Sequence, residues 1–192
     1  MITFLTKSSI RRKIILLFVY NQREEFYLSE IARRVKTTPG TAQRELNKLL
    51  EMDLITFHKK GNLSIYKLNA RHFLLGEIEA IVRKTFGIEI ELKKELGEIK
   101  GISMAFLFGS YAKGNIKSDS DIDLFLIGSP AEDDVYRAVR TVEETVSREI
   151  NYHIMSETEF IHKSKTSSFI RGIAAKPLMI LGNENELQQF LG

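Results

Sequence analysis

Apolar residues recur along this chain in two rhythms, and the switches between them divide it. Ile10, Ile14, Leu17 and Phe18 fall at the i, i+4, i+7, i+8 spacing of one helix face, with Ser8 or Ser9 available as cap. The polar run from Asn21 to Glu25 ends that helix. Leu28, Ile31, Ala32 and Val35 repeat the stripe. Thr38-Pro39 then supplies an N-cap and N1 pair for a helix carrying Ala42, Leu46, Leu49 and Leu50 on one side. Two short strands are predicted next, Leu54 to Lys59 and Ser64 to Leu68, joined through Lys60-Gly61-Asn62, where the turn needs a positive φ. Leu75, Ile78 and Val82, then Ile88, Leu92 and Leu96, return to the helical period, with Gly87 bending the path between them. Those faces can be covered by the chain's own domains or by a second copy.

The rear of the chain changes rhythm again. Ile102 to Phe108 is an almost unbroken apolar run, the pattern of a strand buried on both faces. A second strand is predicted from Asp121 to Ile127, then a covering helix bearing Val135, Ala138, Val139, Val142 and Val146. Arg148 to Met155 reads as a third strand with Ile150, Tyr152 and Ile154 buried. Ser156 caps a helix through His162, with Glu159 as its capping-box partner. A further helical turn within residues 166–172, a short strand from Pro177 to Leu181, a turn at Gly182-Asn183 and a closing helix from Glu186 to Leu191 follow.

Charge separates the two regions. Residues 1–75 hold 14 Lys/Arg and 6 Asp/Glu, a formal +8, whereas residues 76–192 hold 14 and 19, a formal −5. A basic front suits a polyanion, and an acidic rear can hold metal ions. The sequence contains no cysteine, which excludes disulfides, thiolate metal sites and thiol catalysis. No apolar stretch approaches the roughly 20 residues of a membrane helix, and no signal peptide is legible. The expected location is cytoplasmic, with no membrane partner.

In the front region, two short helices with a tight turn between them make a helix-turn-helix, and the basic hairpin adds a wing. The segment Leu28-Ser-Glu-Ile-Ala-Arg-Arg-Val35, the helix after Thr38-Pro39 and Leu54-Ile55 with its hairpin resemble the winged-helix DNA-binding domains of small microbial transcriptional regulators. By that resemblance Thr41, Gln43 and Arg44 reach base edges, and Thr38, Lys48, Lys59 and Lys60 touch phosphates of double-stranded DNA. Winged helices of this kind also serve as protein-interaction or dimerisation modules, and a homodimer is expected on the same likeness.

The candidate chemistry lies in the rear region. On a strand from Asp121 to Ile127, Asp121 and Asp123 point to one face and Ile122 and Leu124 to the other. Two adjacent carboxylates repel, and a divalent cation with hard oxygen ligands, Mg²⁺ or Mn²⁺, relieves the repulsion. Gly109-Ser110 falls at a strand-to-helix turn, where a missing Cβ and free N–H groups leave room for phosphate. Gly109-Ser110-x-Ala-x-Gly114, six further residues and Asp121-x-Asp123 closely resemble the nucleotidyltransferase signature of the DNA polymerase beta superfamily, above all its minimal, stand-alone members.

That resemblance implies that Gly109, Ser110 and neighbouring amides hold the phosphates of a nucleoside triphosphate, with Lys113 as a countercharge or a solvated lysine. It implies that Asp121 and Asp123 are catalytic and carry Mg²⁺ while an acceptor hydroxyl attacks. The family's third acid sits mid-strand between hydrophobic residues. Here Ile150-Asn151-Tyr152 puts an amide there, able to ligate through its carbonyl but not to act as a base. Glu149, on the same side and one pleat away, is the candidate substitute, and His153 shares that parity. Ser120 is expected to cap the turn before Asp121.

The expected chain is therefore two-domain α/β: a winged helix over 1–75, a helical connector over 76–100 and a small mixed-sheet nucleotidyltransferase domain over 101–192. Two functions fit. One is an enzyme moving a nucleoside monophosphate from Mg-NTP to a hydroxyl, a protein acceptor among the possibilities, coupled to a DNA-binding module. The other is a nucleotide-responsive winged-helix transcriptional regulator whose rear domain turns over weakly or not at all.

Overall fold

The computed structural model describes residues 6–113 and 121–191 and divides into two compact units, one of Met1–Ile88 with Glu144–Ser147 and one of Glu89–Glu143 with Arg148–Gly192. The boundary falls after Ile88, at the start of the second helix of the segment expected to be a connector. Ser118, Asp119 and Ser120, with Gly114 of the signature, lie outside the described residues.

The front unit runs α1 (Ser9–Tyr20), β1 (Glu25–Tyr27), α2 (Leu28–Arg34), α3 (Pro39–Glu51), β2 (Ile55–Lys60), β3 (Leu63–Leu68) and α4 (Leu75–Phe86). Ser8 caps α1 by accepting from the Arg11 N–H, and Thr38 caps α3 by accepting from the Thr41 N–H with Pro39 in the first turn. Such caps are each worth about 1 kcal/mol. The α1 stripe proves wider than its spacing implies: Ile14 through Tyr20 are all buried, because the helix packs against α3, α4 and β3 at once. β2 and β3 form the expected hairpin, Lys60 opposite Leu63. The polar stretch ending at Glu25 conceals β1, which pairs antiparallel with β3 to give the order β1-β3-β2. Its burial is confined to Phe26, whose ring packs edge-on to Phe18 at 5.7 Å.

The rear unit runs α5 (Ile88–Gly97), β4 (Ile102–Phe108), α6 (Gly109–Ala112), β5 (Ile122–Gly128), α7 (Glu132–Val146, whose end from Glu144 on falls to the front unit), β6 (Ile150–Met155), α8 (Glu157–Thr166), α9 (Ser168–Ala174), β7 (Leu178–Leu181) and α10 (Glu184–Leu191). Its sheet is mixed, in the order β6-β5-β4-β7, with β5 and β6 parallel and the other pairs antiparallel. β4 and β5 are central and fully apolar through most of their length. The residues Phe106, Phe108, Phe125 and Ile127 of one sheet face join Phe160, Ile170, Ile173, Ala174 and Leu187 of α8, α9 and α10 in a single core. Phe106 stacks on Phe125 at 5.5 Å and Phe160 leans on it at 5.8 Å, aromatic contacts of about 0.5–1.5 kcal/mol beyond area burial. Ser156 caps α8 through the Glu159 N–H. One burial expectation fails: of Ile150, Tyr152 and Ile154 only Ile150 is buried, because β6 is an edge strand with a neighbour on one side alone. No helix among the described residues is long and apolar enough to cross a membrane.

Candidate functional site

The site forms where β4 ends and β5 begins. Because the two strands are antiparallel, Phe108 at the end of β4 stands opposite Asp123. Gly109 then leaves the strand with φ +73° and opens α6, carrying Ser110 into its first turn. A Cβ on Gly109 would sit 2.5 Å from Oδ2 of Asp123. The Asp123 carboxylate thus leans into the space the glycine leaves, and the backbone conformation there is one that side chains resist.

β6 adds the third strand in parallel register, pairing Asp123 with Asn151 and Phe125 with His153. The Ile122 N–H donates to the Glu149 carbonyl at 3.2 Å, fixing the entry of β6 beside that of β5. Asn151 Nδ2 donates to Asp121 Oδ2 at 3.0 Å. Asp121, Asp123 and Asn151 therefore meet on one face, the aspartates by their two-residue spacing and Asn151 by its register with Asp123. His153 lies on the same face, its ring 6.3 Å from that of Phe125. Burial raises the pKa of Asp123, the neighbouring Asp121 charge raises it further, and His153 partly offsets both. Lys113 ends α6 and is exposed, as is Glu149.

Among the described residues no group of three or more His, Cys, Asp or Glu gathers. The donor set is two carboxylates completed by an amide. Hard oxygen donors on one face, and a Gly109 cradle that admits no side chain beside Asp123, fit a divalent cation of the Mg²⁺ class with a phosphate next to it. Asn151, which now donates to Asp121, would present Oδ1 to a cation after turning its amide.

One aromatic residue at this face went unmarked in the sequence. Phe169, in the first turn of α9, sets its ring edge-on to Phe108 at 6.2 Å while remaining 56% exposed. Its legible signal was position. It lies off the Ile170, Ile173 and Ala174 stripe by which α9 joins the core.

Comparison with known proteins assigns this unit. Residues 90–184 match the family model for polymerase beta, nucleotidyltransferase, and the unit is an enzymatic nucleotidyltransferase domain. No curated protein matches the chain. Among solved structures it is similar to a toxin-antitoxin with AMP-PNP, at 16% identity and TM-score 0.40 over 54% of this chain and 80% of that one. It is also similar to a mutant of the toxin-antitoxin MntA-HpeT, at 13% identity and TM-score 0.40 over 54% and 80%. A third is the tri-AMPylated Shewanella oneidensis HEPN toxin in complex with MNT antitoxin, at 14% identity and TM-score 0.37 over 54% and 77%.

These similar structures are assemblies of protein with protein, and they overturn the expectation of double-stranded DNA as the partner. The assignment of Thr38, Thr41, Gln43, Arg44, Lys48, Lys59 and Lys60 to DNA contacts loses its ligand with it. Several of these side chains are engaged within the front unit. Arg44 donates to Thr41 at 3.2 Å, Gln43 donates to Asn47 at 2.8 Å, and Tyr66 donates to Gln43 at 3.1 Å.

Proposed function

We propose that the nucleotidyltransferase domain moves a nucleoside monophosphate from a nucleoside triphosphate to a side-chain hydroxyl of a partner protein. The observation that carries the reading is the meeting of Asp121, Asp123 and Asn151 on one face, with Asp123 seated against the Cβ-less Gly109. In this reading Gly109 and Ser110 receive the triphosphate, with Lys113 as a countercharge, and Asp121, Asp123 and Asn151 hold a divalent cation. Bound there, the cation would neutralise phosphate charge. The chain's own groups position the reactants. The acceptor oxygen forms a bond to the α-phosphorus as the bond to pyrophosphate breaks. Glu149, held at the mouth of β6 by its carbonyl's bond to Ile122, is proposed to take the acceptor's proton. Because this is displacement by positioning and electrostatics, no covalent enzyme intermediate is required.

A protein acceptor is supported by charge. Residues 76–192 carry a formal −5, which disfavours a polynucleotide chain at the same surface. The front unit, whose helices, hairpin and third strand fit a winged helix, is proposed as a protein-interaction module. Phe57 and Leu63 of its hairpin are 51% and 53% exposed, apolar surface that suits a protein face. The test incubates purified protein with each α-labelled NTP, Mg²⁺ or Mn²⁺, and a cell lysate. Label on a protease-sensitive, nuclease-resistant species is expected, and Glu149→Gln should lower it. Label confined to RNA ends would refute the protein acceptor.

A further inference from the structure

We infer that Phe169 is the platform on which the base of the bound nucleoside triphosphate stacks. The inference rests on the reading of the Asp121/Asp123 face as the nucleotide site and extends it to the base. Cross-strand pairing puts Phe108 opposite Asp123, and Gly109 follows Phe108 directly. Asp123, Phe125, Asn151, His153 and Phe108 all belong to one sheet face, the face that α8 and α9 cover. The cover stops at Phe169. Ile170, Ile173 and Ala174, the next residues of α9 to turn inward, are buried, and Phe108 is 7% exposed, whereas Phe169 is 56% exposed.

The two rings stand at 85° with centroids 6.2 Å apart, an edge-to-face contact that fixes Phe169 by one side and leaves ring surface open to solvent. Side chains of cross-strand partners lie about 5 Å apart, so the Phe169 ring stands at most on the order of 10 Å from Asp123. A ribose bridges such a gap between its 5′-phosphate and its base. Every nucleobase offers a π-face to an aromatic ring, and a phenyl group has no polar atom with which to choose among them. Phe169 thus contributes affinity for the nucleoside without selecting the base by hydrogen bonding.

The chain has no tryptophan, so Phe169→Trp places a single indole reporter at this position. Mg-ATP should quench its emission, while Mg-tripolyphosphate, which has no base, should bind without quenching. By calorimetry Phe169→Ala should weaken Mg-ATP binding by roughly 5- to 150-fold, the range for loss of base–aromatic stacking, and leave tripolyphosphate affinity unchanged. Wild-type affinity for Mg-ATP in Phe169→Ala would overturn the inference and leave the nucleotide site standing. Equal losses for Mg-ATP and tripolyphosphate would also overturn it, because they would give Phe169 a purely structural role. Failure of the unmodified protein to bind either ligand would instead remove the nucleotide site itself, and the stacking platform with it.

Discussion

Gly109→Ala puts a methyl group where Asp123 already stands. The added Cβ would lie 2.5 Å from Asp123 Oδ2 and 3.5 Å from its Cγ, at a backbone φ of +73°. Ordinary carbon–oxygen contact begins near 3.4 Å, so the carboxylate must retreat by about 1 Å. A misplacement of that size costs an enzyme on the order of 100-fold in rate. Holding alanine in a left-handed conformation costs about 1–2 kcal/mol. For a cooperative unit of this size that is a fall in Tm of about 4–15 °C. Gly172→Ala is the matched control: it lies within α9, has open space around its Cβ position, and should stabilise by about 0.5–1 kcal/mol. Initial rates of NMP transfer and thermal unfolding would be measured on both variants. A Gly109→Ala protein that unfolds early yet transfers within twofold of the wild-type rate would show that Asp123 does not need its observed seat.

Three further outcomes are expected. Asn151→Asp puts a third carboxylate beside Asp121, so it should lower Tm in EDTA, regain the loss in Mg-NTP, and transfer at or above the wild-type rate; unaltered Tm in EDTA would count against the contact. Burial and the Asp121 charge raise the Asp123 pKa, so the folded metal-free protein binds this proton more tightly than the unfolded chain. Its stability should fall as pH rises from the unfolded carboxylate range through the higher folded value, and urea unfolding in EDTA should show Asp123→Asn flattening that slope. Ser156→Ala, which removes the α8 cap, should cost about 1 kcal/mol by urea unfolding without altering the Kd for Mg-NTP.

The parts legible in the sequence were those where one local rule decided the outcome. β4 and the buried half of β5 are apolar on both faces, and glycines flank β4 and end β5, so length and composition sufficed. Parity put Asp121 and Asp123 on one side of β5 before any pairing was known, and grouped Asn151 with Glu149 and His153; only the parallel register of β5 and β6 brings Asn151 to Asp121. What was missed depended on partners distant in the chain. β1 has three residues and no alternation to display; its ladder with β3 makes it a strand. Tyr152 and Ile154 look like core until β6 proves to be an edge. Ile14 to Tyr20 are buried on every side because three other elements surround α1, which a stripe on one helix cannot reveal. The polar outer face of α3 misled for a different reason. Arg44 donates to Thr41, while Gln43 donates to Asn47 and accepts from Tyr66, and side chains engaged this way have the same composition as a nucleic-acid contact surface.

The most direct measurement follows the two ends of the triphosphate separately. Parallel reactions with α-labelled and γ-labelled NTP, the unmodified protein and the Asp121→Asn/Asp123→Asn variant would be resolved for labelled macromolecule and for released pyrophosphate and phosphate. If the Asp121/Asp123 face performs nucleotidyl transfer, the α label enters the acceptor, the γ label leaves in pyrophosphate, and the double variant does neither. Transfer of the γ label to the acceptor, or α-label incorporation undiminished in the double variant, would contradict it.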